Sequence, residues 1–202
     1  MHSMDNAAPT GLIEADKEYL LKVARQALEA ASRGESLPPL SREALSLSLL
    51  EPRATFVTLT RRGALRGCIG ALQAQMPLLD DVREHAVAAA LQDFRFPPVR
   101  PDEVNSIEIE ISVLTPPRSM RYESADDLLL MLRPGIDGVI LESGFHRATF
   151  LPQVWDKVPD PEAFLGMLCE KAGLAYEAWR KGDLEVATYQ VESFHEHSQP
   201  TN

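Results

Sequence analysis

"RATFVTLTRRGALRGCIGAL" (residues 53–72) contains two extended runs separated by a short turn. Phe56 and Thr58 are residue types that β-strands favour, and Gly63, between the runs, suits the tight loop of a hairpin. The stretch therefore predicts a β-hairpin. Its second strand carries the hexapeptide LRGCIG (65–70), in which glycines flank a cysteine. Glycine inside a strand marks a bulge, a bend, or the close approach of another backbone or of a ligand.

The rest of the chain combines helical periodicity with further strands that connect through short turns. The clearest strand, 106–114, alternates isoleucine or valine with glutamate or serine, the pattern of a sheet with one buried face. Helices are predicted at 14–32, within 76–96, at 125–132 and at 162–173, a second hairpin at 137–151, and a last strand at 183–194. Because strands and helices do not alternate regularly, we expect an α+β fold, an antiparallel sheet packed by helices.

Composition and charge narrow the class of protein. The chain has 202 residues, enough for one large domain or two modest lobes. Its 30 acidic and 20 basic residues give a net charge of −10, which argues against charge-driven contact with nucleic acid or an anionic membrane. No apolar run is long enough to cross a bilayer, and the first 21 residues lack the pattern of a secretory signal. We therefore expect a cytoplasmic protein without membrane contact.

The two ends and the two cysteines complete this outline. We expect 1–13 and 196–202 to be mobile and 14–195 to form a single domain. Cys68 and Cys169 are too few for a disulfide framework and, alone, too few for a structural zinc site. Cys169 follows two leucines at helical spacing, which predicts a thiol in the core.

The first candidate site surrounds the thiol of Cys68. Alternation along a strand predicts two faces, with Arg66, Cys68 and Gly70 on one and Leu65, Gly67 and Ile69 on the other. An arginine near a thiol favours the thiolate, which is the form that acts as a nucleophile or a metal ligand. Two interpretations stay open: Cys68 is reactive, or it is a small structural cysteine with Arg66 bridging two elements.

The second candidate cluster is LQDFRFPP, residues 91–98. We expect Asp93 to continue the apolar stripe of the preceding helix, where a carboxylate needs a partner, and Arg66 and Arg95 are the candidates. Such a pair would fix the end of the helix to the glycine-rich strand. The same pair could instead hold a carboxylate or phosphate ligand, so both roles remain open.

The histidines give weaker signals. His85 lies on the helix before this cluster, where it is either a base for Cys68 or a partly buried, hydrogen-bonded histidine. The later histidines, His146, His195 and His197, have no metal-ligand spacing, and no phosphate-binding or dinucleotide-binding loop is present. The sequence therefore predicts no metal and no cofactor.

Several separated motifs together resemble the AMMECR domain family: FVTL, LRGCIG, DFRFPP, IEISVLTPP, LPQVW and FLGMLCEKAGL. The resemblance extends from about residue 15 to residue 194. It implies two lobes that meet at a cleft near the LRGCIG strand. Its motifs map onto 65–70 and onto Asp93, Arg95, Phe96 and Pro97, and the resemblance supplies no chemistry. The chemistry of the thiol itself makes Cys68 the candidate catalytic residue. The candidate binding residues are Arg66, Gly67, Gly70, Asp93, Arg95 and Phe96.

The resemblance also implies partners: a Memo-like protein, similar to metal-dependent ring-cleaving dioxygenases, and a radical S-adenosylmethionine protein. Three hypotheses follow. The chain is a ligand- or partner-binding module, a thiol-dependent enzyme that uses Cys68 as a nucleophile or redox group, or an RNA-binding protein. The absence of a complete catalytic constellation in the sequence favours the first, and the acidic balance counts against the third.

Overall fold

The computed structural model describes residues 10–42 and 45–196, in which helices accompany two four-stranded antiparallel sheets. This confirms the predicted α+β class. The helices are α1 (Glu14–Arg33), α2 (Leu47–Leu50), α3 (Leu78–Leu91), α4 (Ala125–Met131) and α5 (Pro161–Lys171). The strands are β1 (Thr55–Arg61), β2 (Ala64–Gly70), β3 (Ile107–Leu114), β4 (Arg118–Ser119), β5 (Gly138–Ser143), β6 (His146–Phe150), β7 (Glu185–Tyr189) and β8 (Val191–His195).

The chain divides into two compact units. The first runs to Leu114 and resumes at Glu192, and the second is Thr115–Val191. The first sheet has the strand order β2-β1-β3-β8, and the second has the order β4-β7-β5-β6. The predicted cleft between two lobes stays a prediction.

The hairpin at the centre of the first unit is confirmed. Its turn is formed by Arg62 and Gly63, both with positive φ (54° and 76°), which is the backbone that a two-residue hairpin turn requires and that glycine adopts without strain. One face of the sheet packs against α1 and α3, and Val57, Leu59 and the isoleucines of β3 are buried there. The opposite face carries Thr58, Cys68 and the glutamates of β3.

The second unit has its own core, built where α5 packs beside the second sheet. Asp160 accepts a hydrogen bond from the Ala163 main-chain N–H at 3.1 Å and caps α5. Phe164 stacks on Trp155 with ring centroids 3.6 Å apart. Cys169 is fully buried, which confirms the predicted core thiol, and burial raises its pKa.

The predicted last strand, 183–194, is two strands rather than one. Residues of β7 pair in the second sheet, whereas β8 lies beside β3 in the first. At the break, Gln190 exchanges hydrogen bonds with Thr115: its main-chain N–H reaches Thr115 Oγ1, and its carbonyl accepts the Thr115 N–H, both at 2.9 Å. Strand-like residue types continue through this point, so local pattern alone does not reveal the change of sheet.

Described residues at both ends of the chain, within or beside the segments predicted to be mobile, make contacts with the first unit. Thr10 is buried and hydrogen-bonded to Glu192, and Leu12 packs in the first core. Glu196 donates its main-chain N–H to the Ile109 carbonyl at 3.0 Å and pairs with the Arg25 guanidinium. The remainder of both predicted segments, 1–9 and 197–202, lies outside the described residues.

Candidate functional site

The LRGCIG strand, β2, forms an edge of the first sheet and contains a bulge. Leu59 lies opposite Gly67, but the next residue, Thr60, lies opposite Leu65, so Arg66 is an extra residue without a partner in the ladder. A bulge breaks the alternation of side chains and re-aims the extra residue. Leu65 therefore lies on the same face as Cys68, contrary to the prediction, and Arg66 is directed away from the thiol.

The two glycines that flank Cys68 are explained by close packing. A Cβ atom on Gly67 would lie 2.3 Å from the carbonyl oxygen of Ala89 on α3, so the helix backbone rests directly on the strand. A Cβ atom on Gly70 would lie 2.3 Å from the Thr55 carbonyl and 2.4 Å from the Phe56 ring. Neither position has room for a side chain, and what approaches them is the protein itself.

Asp93 closes the free edge of β2. Its Oδ2 accepts the main-chain N–H of Cys68 at 2.8 Å, and its carboxylate accepts from Arg95 Nε at 2.9 Å and Nη2 at 2.7 Å. Arg95 Nη2 also donates to the Cys68 carbonyl at 3.2 Å. The pair thus satisfies both main-chain polar groups of Cys68 where a neighbouring strand would otherwise lie.

This geometry corrects the expectations for Asp93. The helix α3 ends at Leu91, so Asp93 does not continue its apolar stripe but begins the loop that follows. Of the two candidate partners, Arg95 pairs with it and Arg66 does not. Asp93 is buried, and the Arg95 hydrogen bonds, together with the Cys68 N–H, hold the pKa of its carboxyl well below the usual range.

Cys68 lies on the outer face of the sheet and is partly exposed. Thr58, its neighbour on β1, donates its hydroxyl to the sulfur at 3.3 Å. Asp93 and Arg95 form their hydrogen bonds with the main chain of Cys68, and Arg95 also interacts electrostatically with its thiol group. The candidate residues are therefore brought together only in part: Asp93 and Arg95 meet at the backbone of Cys68, whereas Arg66 does not.

His85 does not act on Cys68. Its Nδ1 lies 3.1 Å from Asp81 Oδ2 and 3.2 Å from Thr55 Oγ1, on the core face of the sheet. Cys68 lies on the opposite face, so the sheet separates the two side chains. Of the two interpretations, the partly buried, hydrogen-bonded histidine is confirmed.

Arg66 belongs to a different cluster, centred on Glu103. Arg66 donates to both carboxylate oxygens of Glu103, with Nη2 at 2.6 Å and Nε at 3.2 Å, and Arg61 Nη1 donates to the same group at 3.0 Å. Glu103 is buried, and hydrogen bonds from Arg66 lower its pKa. A cavity of about 490 Å³ adjoins this cluster, lined by Arg61, Arg66, Pro97, Pro98, Arg100, Asp102 and Glu103.

The loop at 93–98, which we call the DFRFPP loop, carries two aromatic side chains, one exposed and one partly buried. Phe94 is 95% exposed. Phe96 is partly buried, and the Arg95 guanidinium carbon lies 5.6 Å from its ring centroid. The Phe96 main-chain N–H bonds to the Asp93 carbonyl at 3.0 Å, and Val99 N–H to the Ala90 carbonyl at 2.8 Å. The loop is therefore fixed at both ends while Phe94 projects outward.

Sequence reasoning missed Arg61, Phe94 and Glu103. The only signal for Phe94 was its position between two motif residues of the DFRFPP loop. Glu103 precedes a single short 3-10 turn at Val104–Ser106, and no periodicity marks it as buried. Its partners lie about forty positions earlier in the chain, beyond the reach of a local pattern.

The described residues form neither a metal-binding cluster nor a membrane-spanning helix. Between 10 and 196, apart from the gap at 43–44, no three acidic, histidine or cysteine side chains are grouped so as to hold a metal ion. In the same part of the chain, no helix has the length and apolar character to span a membrane.

Comparison with known proteins identifies the family of the chain. The family model AMMECR1 matches residues 21–194. A protein of Methanothermobacter thermautotrophicus is 40% identical over 189 residues, covering 88% of this chain and 92% of the relative. Protein Mbar_A1807 of Methanosarcina barkeri is 38% identical, covering 92% of each chain. The crystal structure of uncharacterized protein PH0010 from Pyrococcus horikoshii matches with a TM-score of 0.72 at 35% identity, covering 89% of this chain and 91% of PH0010. The chain belongs to the AMMECR1 family.

Proposed function

We propose that the chain is a non-catalytic binding module that docks a partner protein through Phe94 and the rest of the DFRFPP loop. The observation that carries the proposal is the contrast between Phe94 and its surroundings. The side chain is 95% exposed, yet the residue before it is buried and held by Cys68 and Arg95. A large aromatic side chain on a fixed loop loses little conformational entropy on binding, and aromatic residues dominate interface energies.

The chemistry of the loop suggests what the partner surface offers. Phe94 requires an apolar pocket, and Arg95, whose side chain is 46% exposed beside it, favours a carboxylate at the rim of that pocket. We propose that the partners are the Memo-like protein and the radical S-adenosylmethionine protein that the family resemblance implies. The chain would then act as protein A of the AmmeMemoRadiSam system.

The surroundings of Cys68 support binding over thiol chemistry. The charged side chains that were candidates for the thiol site form their hydrogen bonds elsewhere. Asp93 and Arg95 bind the Cys68 main chain, and Arg66 binds Glu103. The described partner of the sulfur is the hydroxyl of Thr58. The Arg95 guanidinium is near enough to interact electrostatically with Cys68. In the described part of the chain, however, the hydrogen-bond partner of the sulfur is a hydroxyl and not a base, so the general base of a thiol enzyme is missing there.

The test is a binding titration with the purified Memo-like protein and the purified radical S-adenosylmethionine protein of the same genome. Phe94→Ala should weaken binding to at least one of them by roughly tenfold or more. Phe145→Ala is the matched control, because Phe145 is an equally exposed aromatic at the β5–β6 turn of the second unit. Failure of the wild-type chain to bind either protein, or unchanged binding by Phe94→Ala, would reject the proposal.

A further inference from the structure

The charged side chains that line the cavity beside Glu103 do not balance one another. Three guanidinium groups line it, those of Arg61, Arg66 and Arg100, against the two carboxylates of Asp102 and Glu103. Three positive and two negative groups leave one positive charge. The chain as a whole has a net charge of −10, so this local excess runs against the overall balance of the molecule.

The hydrogen bonds show where the excess lies. Arg100 and Asp102 form an exposed pair of their own, with Nε to Oδ1 at 2.9 Å and Nη2 to Oδ2 at 2.5 Å. The other two arginines share the single carboxylate of Glu103. By hydrogen bonding, two guanidinium groups thus share one carboxylate, which leaves the excess positive charge at Arg61 and Arg66, and Asp102 offsets part of it through its electrostatic interaction with Arg61.

One N–H donor group of this arginine pair also has no acceptor. Arg66 Nη1 is buried, and no group in the described part of the chain accepts a hydrogen bond from it. A buried donor without an acceptor costs free energy. The Arg61 side chain is 40% exposed, so its guanidinium is reachable from solvent. A bound oxyanion would provide a further acceptor for the exposed Arg61 guanidinium.

We infer that this cavity, between the Arg61–Arg66 pair and the Pro97–Pro98 wall, is a binding site for a small organic carboxylate. The planar guanidinium groups match a carboxylate in geometry, and a single negative charge balances the excess. The volume of about 490 Å³ lies in the range of small-molecule sites and exceeds what a bare oxyanion fills. The two prolines supply apolar surface for the remainder of the ligand.

The inference concerns a different ligand from the function proposed above, and the cavity shares Pro97 and Pro98 with the DFRFPP loop. Phe94 does not line the cavity, so Phe94→Ala should leave carboxylate binding intact, and Arg61→Gln should leave partner binding through Phe94 intact. Failure of one proposal is therefore distinguishable from failure of the other.

The experiment titrates benzoate into the full chain at constant ionic strength and follows the NMR signals of the arginine Nε–H groups. Saturable shifts of the Arg61 and Arg66 signals are expected, with no comparable shifts from benzamide, the neutral isostere. Arg61→Gln should weaken benzoate binding by roughly tenfold or more. Arg61→Lys, which keeps the charge but loses the planar fork, should bind with intermediate affinity.

Arg33→Gln is the control, since Arg33 is an exposed arginine at the end of α1, outside the cavity. It should bind benzoate like the wild type. Equal weakening in Arg33→Gln and Arg61→Gln, equal binding of benzamide, or no saturable shift of either arginine signal would each overturn the inference. Inorganic phosphate serves as a second probe: binding of phosphate in place of benzoate would overturn the assignment to a carboxylate.

Discussion

Asp93 accepts the main-chain N–H of Cys68 at 2.8 Å through one carboxylate oxygen, so a side chain from the loop after α3 completes the hydrogen bonding of an edge strand. The acid and the strand are thereby coupled through backbone atoms. This relationship explains why LRGCIG and the DFRFPP loop occur together: the second element supplies the acceptor and the donor that the first lacks at its open edge.

The first prediction concerns the strength of this coupling. Asp93→Ala should lower the free energy of unfolding by about 2–3 kcal/mol, because it removes a charged acceptor and leaves the Cys68 N–H unpaired. Arg95→Ala should also destabilise the fold, and the double variant should lose less than the sum of the two. Urea unfolding of the four proteins measures this. Strict additivity would show that the two residues act independently.

The second prediction is a dependence of stability on pH. The pKa of Asp93 is lowered in the folded state, chiefly by its hydrogen bonds from Arg95, and the pKa of Glu103 is lowered by Arg66. A carboxyl with a depressed folded pKa stabilises the fold above its unfolded pKa, and this contribution is lost as pH falls toward the folded value. The unfolding free energy should therefore decrease below about pH 5.

Asp93→Asn should show a shallower decrease over the same acidic range, since one of the two carboxyls with a lowered pKa has been removed. Asp126→Asn, at an exposed position on α4, should retain the wild-type profile. The measurement is urea unfolding at a series of pH values. Identical slopes for the wild type and Asp93→Asn would contradict the assignment.

The third prediction tests the contact between β2 and α3. Gly67→Ala should destabilise the fold by about 1–3 kcal/mol, because its Cβ would lie 2.3 Å from the Ala89 carbonyl oxygen and the helix must shift. The clash involves a main-chain atom, so adding Ala89→Gly should not restore stability. Thermal unfolding compares the variants. Rescue by the second substitution would mean that side-chain packing, not backbone contact, excludes the methyl group.

The fourth prediction separates the two thiols. Cys68→Ser should change the unfolding free energy by less than about 1 kcal/mol, because the serine hydroxyl can accept the same hydrogen bond from Thr58. Cys169→Ser should cost about 1–3 kcal/mol, since it buries a hydroxyl in an apolar core. In the native protein, a thiol reagent should modify Cys68 and spare Cys169. Modification of Cys169 at the same rate would contradict the structure.

The parts of the fold that sequence analysis predicted are those whose signal is local. The alternation in β3, the helical periodicity of α1 and the turn at Gly63 each depend on neighbouring residues. The candidate site is less predictable because its contacts join distant segments. The bulge at Arg66 alters the direction of one side chain, and its acceptor, Glu103, carries no pattern that marks it as buried.

The change of sheet between β7 and β8 has a consequence for the order of assembly. The chain leaves β3 at Leu114 and returns to β8, the strand beside it, at Val191. The residues between them, nearly all of the second unit, are therefore an insertion between two adjacent strands. Pairing β8 with β3 brings together residues that are far apart in sequence. The conformational entropy lost in closing that loop is smaller once the inserted residues are compact. We expect β8 to be the last strand added to its sheet, after the inserted unit has folded and brought its own two ends together.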